Sequence, residues 1–106
     1  MPFVREVFLM ECHVAGTSHR NLVEVEPALK EKDPLVFRRD PENAHDPLAI
    51  RILDAEDHDL GFIPQEKNEV VARLMDAGKL IFGRIDAKEW KGKWLKIDVR
   101  VYLRDL

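Results

Sequence analysis

Strict alternation of apolar and polar side chains near the C-terminus constrains the fold more than any other feature of this sequence. Within Lys93–Arg104, every second residue is apolar: Leu95, Ile97, Val99, Val101 and Leu103. Because successive side chains of a strand point to opposite faces, this row forms one buried face of a sheet. An earlier strand, Leu80–Trp90, is joined to it by Lys91 and Gly92, which supply a tight turn. The sequence therefore predicts a long β-hairpin that packs one face into the core.

The other face of this hairpin mixes aromatic rings with cations. The second strand presents Trp94, Lys96, Asp98, Arg100, Tyr102 and Arg104, and the first presents Phe82, Arg84, Asp86, Lys88 and Trp90. Rings among cations suit single-stranded nucleic acid, because bases stack on the rings while the cations follow the phosphates. Alternatively, Trp90 and Trp94 pair across the hairpin and cover an edge of the sheet. Periodicity leaves both interpretations open.

Four more runs of strand length precede the hairpin. They cover Val7–Val14, Leu35–Arg38, Leu48–Leu53 and Leu60–Ile63. A helix is predicted over Gln65–Ala77, where apolar residues recur at three- and four-residue spacing, and Gly78 supplies its left-handed stop. A shorter helix is predicted from about Thr17 to about Leu29, although Pro27 favours an early end.

About six strands and two helices predict a mainly β fold in which the helices plug or flank a small barrel. A modified Greek-key barrel of the oligonucleotide-binding (OB) type accommodates this pattern. Periodicity alone does not separate it from an SH3-like barrel. With 106 residues, 45% hydrophobic and 35% charged, the chain is expected to form one domain over residues 1–106.

Targeting and disulfide signals are sparse. Cys12 is the one cysteine, so no intramolecular disulfide can form. No apolar run approaches the roughly 18 residues that suggest a membrane span, and no charged-then-apolar signal segment opens the sequence. We therefore expect a cytoplasmic protein that does not use a membrane as a partner.

Charge is distributed unevenly, although the net charge is −3. Residues 1–78 carry nine Lys and Arg against sixteen Asp and Glu, whereas residues 79–104 carry eight against three, and Asp105 completes the total. The two parts are therefore −7 and +5, so one face of an acidic protein can be basic. The alternative is a solvated sheet face that happens to be basic.

A turn with unusual composition lies within Arg39–Ile50. Pro41 and Pro47 fix φ and cannot donate a backbone hydrogen bond, so the chain between them forms a shaped turn rather than a helix or central strand. We call residues 41–47 the proline-bounded turn. Its polar side chains are Asn43, His45 and Asp46. They either only hold the loop or aim His45 and Asp46 at a ligand.

In their order and spacing, these segments resemble the HIRAN domain family. The resemblance is carried by Val14-Ala15-Gly16, Arg39-Asp40-Pro41-Glu42-Asn43, His45-Asp46, Ala49-Ile50, Leu60-Gly61-Phe62-Ile63-Pro64 and Leu74-Met75-Asp76-Ala77-Gly78. HIRAN domains occur in some helicase-like chromatin-remodelling ATPases and as free-standing bacterial proteins. The resemblance covers about residues 8–78 and implies a modified OB-like barrel.

The resemblance also implies a function, because a helicase-like member captures the free 3′ end of single-stranded DNA. Asp46 would accept a hydrogen bond from the terminal 3′ hydroxyl, and His45 would stack on a base. Asn43 would brace the turn or touch the last nucleotide. Further nucleic-acid contacts are implied for His19, Arg20, Arg39 and Phe62. The chain would then be a targeting or accessory domain in DNA repair or replication, alongside a helicase or other DNA-processing partner.

The sequence departs from the family pattern at positions that bear on affinity. Ala44 stands where a proline is usual, and Gln65 and Glu66 stand where a cation is usual. Each missing cation removes a phosphate contact. Two stacked bases supply about 2 to 6 kcal/mol, so we expect affinities on the order of millimolar to tens of micromolar.

Enzymatic and metal-binding functions are not predicted. The four histidines are scattered, and no spacing resembles a structural zinc site or a nucleophile with its base. The acidic run Asp54–Asp59 is the strongest candidate for an ion-binding loop, but such runs are usually solvated turns. We therefore expect a non-enzyme without a cofactor. The alternative function is a protein or peptide interaction module that uses the same barrel groove.

Overall fold

Six antiparallel strands form one sheet in the computed structural model, which describes residues 5–105. The strands are β1 (Arg5–His13), β2 (Pro34–Arg39), β3 (Ile50–Leu53), β4 (Asp59–Phe62), β5 (Leu80–Lys91) and β6 (Trp94–Asp105). Their order in the sheet is β1-β6-β5-β2-β3-β4. The prediction of a mainly β fold with about six strands is confirmed.

The sheet curls so that its two ends meet. Ala15, two residues after β1, exchanges backbone hydrogen bonds with Phe62 of β4, at N···O distances of 2.8 and 2.9 Å. Gly61 makes this approach possible, because its φ is +146° and a Cβ would lie 2.3 Å from the Ala15 carbonyl oxygen. The result is a barrel-like sheet closed by a short bridge rather than by a full strand pair.

The hairpin of β5 and β6 supplies the centre of the core, as the alternation predicts. The inward row of β6 is nearly inaccessible to solvent, with exposures of at most 2% at Leu95, Ile97, Val99 and Val101. Leu103 is partly buried and packs against the same cluster. β3 adds Ile50 and Ile52, both 0% exposed. Burial of this row fixes the register of the hairpin, since a one-residue slip would turn it to solvent.

A β-bulge divides the mixed row that the sequence predicts along β5. The register with β6 shifts after Ile85, and the extra residue reverses the faces beyond it. Before the bulge, Phe82 and Arg84 lie on the outer face. After it, Lys88 and Trp90 lie opposite core residues of β6 and share their inner face. The prediction of one continuous row from Phe82 to Trp90 is therefore wrong.

Trp90 and Trp94 consequently lie on opposite faces and do not form the cross-strand pair considered above. Trp90 is opposite Leu95 in the register. Its indole Nε1 donates to Glu26 Oε1 at 2.9 Å, and Lys88 Nζ donates to Glu26 Oε2 at 2.6 Å. These bonds fasten the segment between β1 and β2 to the hairpin.

One α-helix, α1 (Asn68–Asp76), forms where the three- and four-residue spacing predicts it. A 3₁₀ turn at Gln65–Lys67 precedes it. Gly78 has φ +88°, the left-handed conformation that ends a helix. Within residues 5–105, no helix combines the length and apolar character needed to cross a membrane.

The second predicted helix, over residues 17–29, is wrong. This segment contains two separate 3₁₀ turns, Thr17–His19 and Glu26–Ala28. Arg20 is extended, with φ −127° and ψ 149°, and ends the first turn. Pro27 lacks the backbone N–H that a continuing helix requires, and it lies at the start of the second turn. The apolar side chains of this segment reach the core without a helix, because Leu22 and Leu29 are both buried.

Candidate nucleic-acid interface

The proline-bounded turn lines a cavity of about 240 Å³ beside the bridge that closes the sheet. The turn connects β2 to β3, Phe62 ends β4, and Ala15 follows β1, so three parts of the sheet meet here. The cavity is lined by Ala15, Asn43, His45, Asp46, Ala49, Phe62, Ile63 and Gln65. Four of the seven predicted nucleic-acid-binding residues therefore share one cavity.

Asn43 holds the shape of the turn. Its side-chain oxygen accepts hydrogen bonds from the backbone N–H groups of His45, at 2.9 Å, and Asp46, at 3.1 Å. Its amide nitrogen donates to Asp40 Oδ2 at 3.2 Å. Short polar side chains often brace turns in this way. Asn43 is predicted to brace the turn or to touch the last nucleotide, and these contacts correspond to the first role.

Asp46 is half-buried and has a partner on each oxygen. Oδ1 accepts a hydrogen bond from the backbone N–H of Leu48 at 2.9 Å, and Oδ2 accepts one from the Asn68 side chain at 2.7 Å. A carboxylate has about four acceptor positions on its two oxygens. These two bonds therefore orient the carboxylate and do not use all of its acceptor positions. Asn68 lies 22 positions away and is only 2% exposed, and no pattern in the sequence predicts its contact with Asp46.

The two histidines differ in position. His45 is exposed and lines the cavity. His19 is also exposed, but it ends the 3₁₀ turn Thr17–His19 and lies outside the cavity lining. The structure therefore places His45, and not His19, beside Asp46.

Arg39 fastens the proline-bounded turn to α1. Its guanidinium donates to the backbone carbonyls of Ala49, at 2.8 Å, and Pro47, at 3.0 Å. It also donates to both oxygens of Asp76, at 2.9 and 3.3 Å. The Arg39 guanidinium lowers the pKa of the Asp76 carboxyl below its ordinary value. With four hydrogen bonds and a side chain only 15% exposed, Arg39 positions the turn.

Phe62 carries two guanidinium groups over its ring. The Cζ atoms of Arg20 and Arg51 lie 5.2 and 4.9 Å from the ring centroid. Asp59 holds both cations, at 3.1 Å from Arg20 Nε and 2.6 Å from Arg51 Nη1. Arg51 also binds Asp40 at 3.1 Å. Arg51 lies opposite Phe62 in the register of β3 and β4, a relation that only the strand pairing reveals.

A larger cavity, of about 470 Å³, shares Arg20 with this region. Its lining includes Trp90 and Lys93 from the β5–β6 hairpin and Leu22 from the segment before β2. Thr17 also lines it, and its hydroxyl donates to the Leu95 carbonyl at 2.7 Å. Aromatic and cationic side chains therefore also line the surface beyond the first cavity.

Comparison with known proteins identifies the family. The family profile described as HIRAN domain matches residues 7–104. No curated protein sequence matches the chain. The crystal structure of a Lactobacillus plantarum protein superposes with a TM-score of 0.89 at 20% identity, covering 98% of this chain and 100% of that one. The HIRAN domain of human HLTF gives a TM-score of 0.73 at 19% identity, covering 93% and 78%.

Because the two solved structures have low sequence identity to this chain, they establish only its fold. The profile match establishes its family. It extends over nearly the whole described chain and includes the proline-bounded turn, Phe62 and the hairpin. This chain belongs to the HIRAN domain family, whose members are in general nucleic-acid-binding domains rather than catalytic ones.

Proposed function

We propose that this chain binds the free 3′ end of single-stranded DNA and acts as a targeting or accessory domain in DNA repair or replication. The observation that carries the proposal is the shared cavity of His45, Asp46 and Phe62. It combines an oriented hydrogen-bond acceptor with flat groups on which a base can stack. A helicase or other DNA-processing partner supplies the catalytic step.

Asp46 is the residue that distinguishes a strand end from an interior nucleotide. Its carboxylate, when ionised, only accepts hydrogen bonds, and a terminal 3′ hydroxyl is a donor that an interior sugar lacks. A 3′ phosphate carries negative charge and is repelled. Because Leu48 and Asn68 already orient the carboxylate, the acceptor is held in place before the ligand binds.

Stacking supports the terminal bases. His45 is exposed at the mouth of the cavity, and an imidazole can stack on a base. Phe62 lines the same cavity, and Arg20 and Arg51 over its ring add guanidinium planes. Since both arginines are already paired with carboxylates, they contribute stacking surface more than net charge.

The rest of the bound DNA strand lies along the curled sheet. We propose that this sheet is a modified OB-like barrel, an architecture that binds oligonucleotides across its strands. The larger cavity beyond Arg20, with Trp90 and Lys93, lies next along the surface. Few cations face the ligand, so the affinity of the isolated chain is expected to be low, and a partner that holds the same DNA would raise it.

The test uses fluorescence anisotropy with 5′-labelled oligothymidines that end in a 3′ hydroxyl or a 3′ phosphate. A hydrogen bond to a charged group contributes about 1.5 to 3 kcal/mol, so the hydroxyl end should bind at least about tenfold more tightly. Asp46→Asn should abolish this preference. Asn68 can rotate its amide to meet the new side chain, so the fold should be retained.

Asp54→Asn provides the matched control, because Asp54 braces another turn by accepting backbone hydrogen bonds. It should retain the preference for a 3′ hydroxyl. Equal affinity of the wild-type protein for the two ends would contradict the proposal. No binding to any strand end at low salt would favour the alternative, a module that binds a peptide.

A further inference from the structure

A row of three aromatic side chains and one valine crosses the outer face of the sheet, with its two ends exposed and its two middle members half-buried. Phe8 of β1 lies opposite Tyr102 of β6, Tyr102 lies opposite Phe82 of β5, and Phe82 lies opposite Val36 of β2. Phe8 is 44% exposed and Val36 is 49% exposed. We call these four residues the outer aromatic row. It runs perpendicular to the strands and covers four of the six.

The three rings form a continuous surface. Phe82 and Tyr102 stack, with centroids 5.5 Å apart and an interplanar angle of 20°. Phe8 meets Tyr102 edge to face at 5.8 Å. Because the rings contact one another across strands, they are held in place without a partner.

Three arginines lie on this surface. Arg84 Cζ lies 5.0 Å from the Phe82 centroid and 4.9 Å from that of Tyr102. Arg104 lies 4.8 Å from the Phe82 centroid. Arg100 Cζ lies 4.1 Å from the centroid of the Phe8 ring. The three side chains are 31, 40 and 35% exposed, so each guanidinium rests on a ring and remains open to solvent.

Two carboxylates only partly occupy these guanidiniums. Glu6 Oε2 accepts from both Arg84, at 2.9 Å, and Arg104, at 3.3 Å. Glu11 Oε1 accepts from Arg100 at 2.7 Å. Glu31, Lys32 and Asp86 also line the cavity that Arg84, Arg100 and Tyr102 share, so this surface offers hydrogen-bond donors rather than a large excess of positive charge. Most of the fifteen guanidinium N–H groups expected for three arginines have no acceptor in Glu6 or Glu11.

We propose that the outer aromatic row and its three arginines form a second binding surface for single-stranded nucleic acid, one that requires no free end. Bases stack on the rings and on the guanidinium planes, as in other sequence-tolerant sites for single strands. Phosphates accept the N–H groups that Glu6 and Glu11 leave open, and arginine pairs with phosphate through two parallel hydrogen bonds.

This surface is separate from the cavity at Asp46. Phe8 precedes Ala15 by seven residues, which corresponds to roughly 20 Å along an extended strand. Binding here therefore does not depend on the proposed recognition of a 3′ end. It would hold the strand at interior nucleotides and so raise the affinity of the whole chain.

The test uses a circular oligothymidine, which has no ends, in fluorescence anisotropy at low salt with the full chain. The wild-type protein should bind it. Arg84→Gln combined with Arg100→Gln should weaken binding by about tenfold or more and reduce the slope of log affinity against log salt by roughly two. Tyr102→Ala should weaken binding at least about fivefold. Tyr102→Phe keeps the ring but removes the hydroxyl that accepts a hydrogen bond from Arg100 Nε at 3.1 Å, so it should lose less binding than Tyr102→Ala.

The matched control combines Arg38→Gln with Arg73→Gln. These arginines are also exposed and paired with single carboxylates, but neither lies on a ring of the row. An equal loss in this control would overturn the proposal, because it would indicate a general effect of charge. Circular dichroism and urea unfolding verify that each variant is folded.

Two further outcomes discriminate between the sites. Asp46→Asn should bind the circle normally, and loss of that binding would overturn the independence of the two sites. No binding of the circle at low salt would overturn the second site, and binding of polyglutamate through Arg84 and Arg100 would then identify an acidic protein as the partner. Loss of the preference for a 3′ hydroxyl with intact binding of the circle would leave this inference standing without the proposed function.

Discussion

The arginines of the turn region and of the outer face are used differently. Around the proline-bounded turn, Arg20, Arg39 and Arg51 make three, four and two hydrogen bonds within the protein. On the outer face, Arg84, Arg100 and Arg104 make one, two and one. The first group holds backbone and loops in place. The number of cations near a surface therefore does not measure how many can bind phosphate.

The two regions are also suited to different tasks. The turn cavity contains one oriented carboxylate and few available cations, so in the proposed function it would select a ligand but bind it only weakly. The outer aromatic row offers stacking surfaces and open N–H groups, so in the proposed second site it would hold many sequences without selecting among them. Selectivity and affinity would then come from separate surfaces of the same small sheet.

The largest effect is expected where the turn region depends on the closure of the sheet. In Gly61→Ala, the new Cβ would lie 2.3 Å from the Ala15 carbonyl oxygen and 2.6 Å from Val14 Cγ1, at a φ of +146°. We expect the free energy of unfolding to fall by about 3 kcal/mol or more. Urea denaturation measures it.

Gly78→Ala is the matched control for this substitution. Gly78 also has a positive φ, of +88°, but nothing lies within 4 Å of its added Cβ. Its cost should be only the backbone strain, about 1 kcal/mol. Equal losses for the two variants would mean that the Ala15–Phe62 bridge does not hold the two ends of the sheet together.

An intermediate effect is expected at Arg39, whose neighbour Arg38 provides the comparison. Arg39→Gln removes the hydrogen bonds that fasten the turn to α1, and we expect a loss of about 2 kcal/mol in the free energy of unfolding. Arg38→Gln removes an exposed ion pair with Asp57 and should change stability by less than about 0.5 kcal/mol. Urea denaturation of both proteins would refute a structural role for Arg39 if they proved equally stable.

The smallest effect concerns His58, which lies in a loop outside both regions. Its Nδ1 lies 2.8 Å from Asp54 Oδ2, and this hydrogen bond raises the pKa of the imidazole above its ordinary value of 6.5. A raised pKa in the folded state stabilises the protein below pH 6.5, and that contribution is lost as the pH rises through the folded-state pKa.

NMR titration of the His58 ring measures this pKa directly. In Asp54→Asn it should fall toward 6.5, while the affinity for the circular oligonucleotide should not change. A pKa that stays raised would show that the hydrogen bond is not its cause. A change in affinity would show that this loop takes part in binding.

Simple periodicity was sufficient to predict the centre of the fold. The alternation at Leu95, Ile97, Val99 and Val101 predicted the buried face of β6, because one face of this strand packs entirely into the core. The proline-bounded turn is equally predictable, because proline restricts φ whatever the tertiary context. Periodicity and proline geometry therefore predict the features that are encoded in a short stretch of sequence.

The features that sequence patterns do not predict depend on which strands and side chains pair with one another in the fold. The bulge after Ile85 reverses the side on which Lys88 and Trp90 lie, yet an extra residue leaves no mark in a row of mixed composition. The contact of Asp46 with Asn68 joins residues that are 22 positions apart. The contact of Phe62 with Arg51 depends on the register between β3 and β4. The residues around the turn were therefore predictable, but their partners were not.

Two-dimensional ¹H–¹⁵N NMR titrations test the division between the two regions most directly. A short linear oligothymidine with a 3′ hydroxyl should shift the backbone amides of Asn43, His45, Asp46 and Phe62. A circular oligothymidine should leave these amides unchanged and shift those of Phe82, Arg84, Arg100 and Tyr102. Shifts of the turn amides by the circular ligand, or no shift of either set by either ligand, would contradict the account.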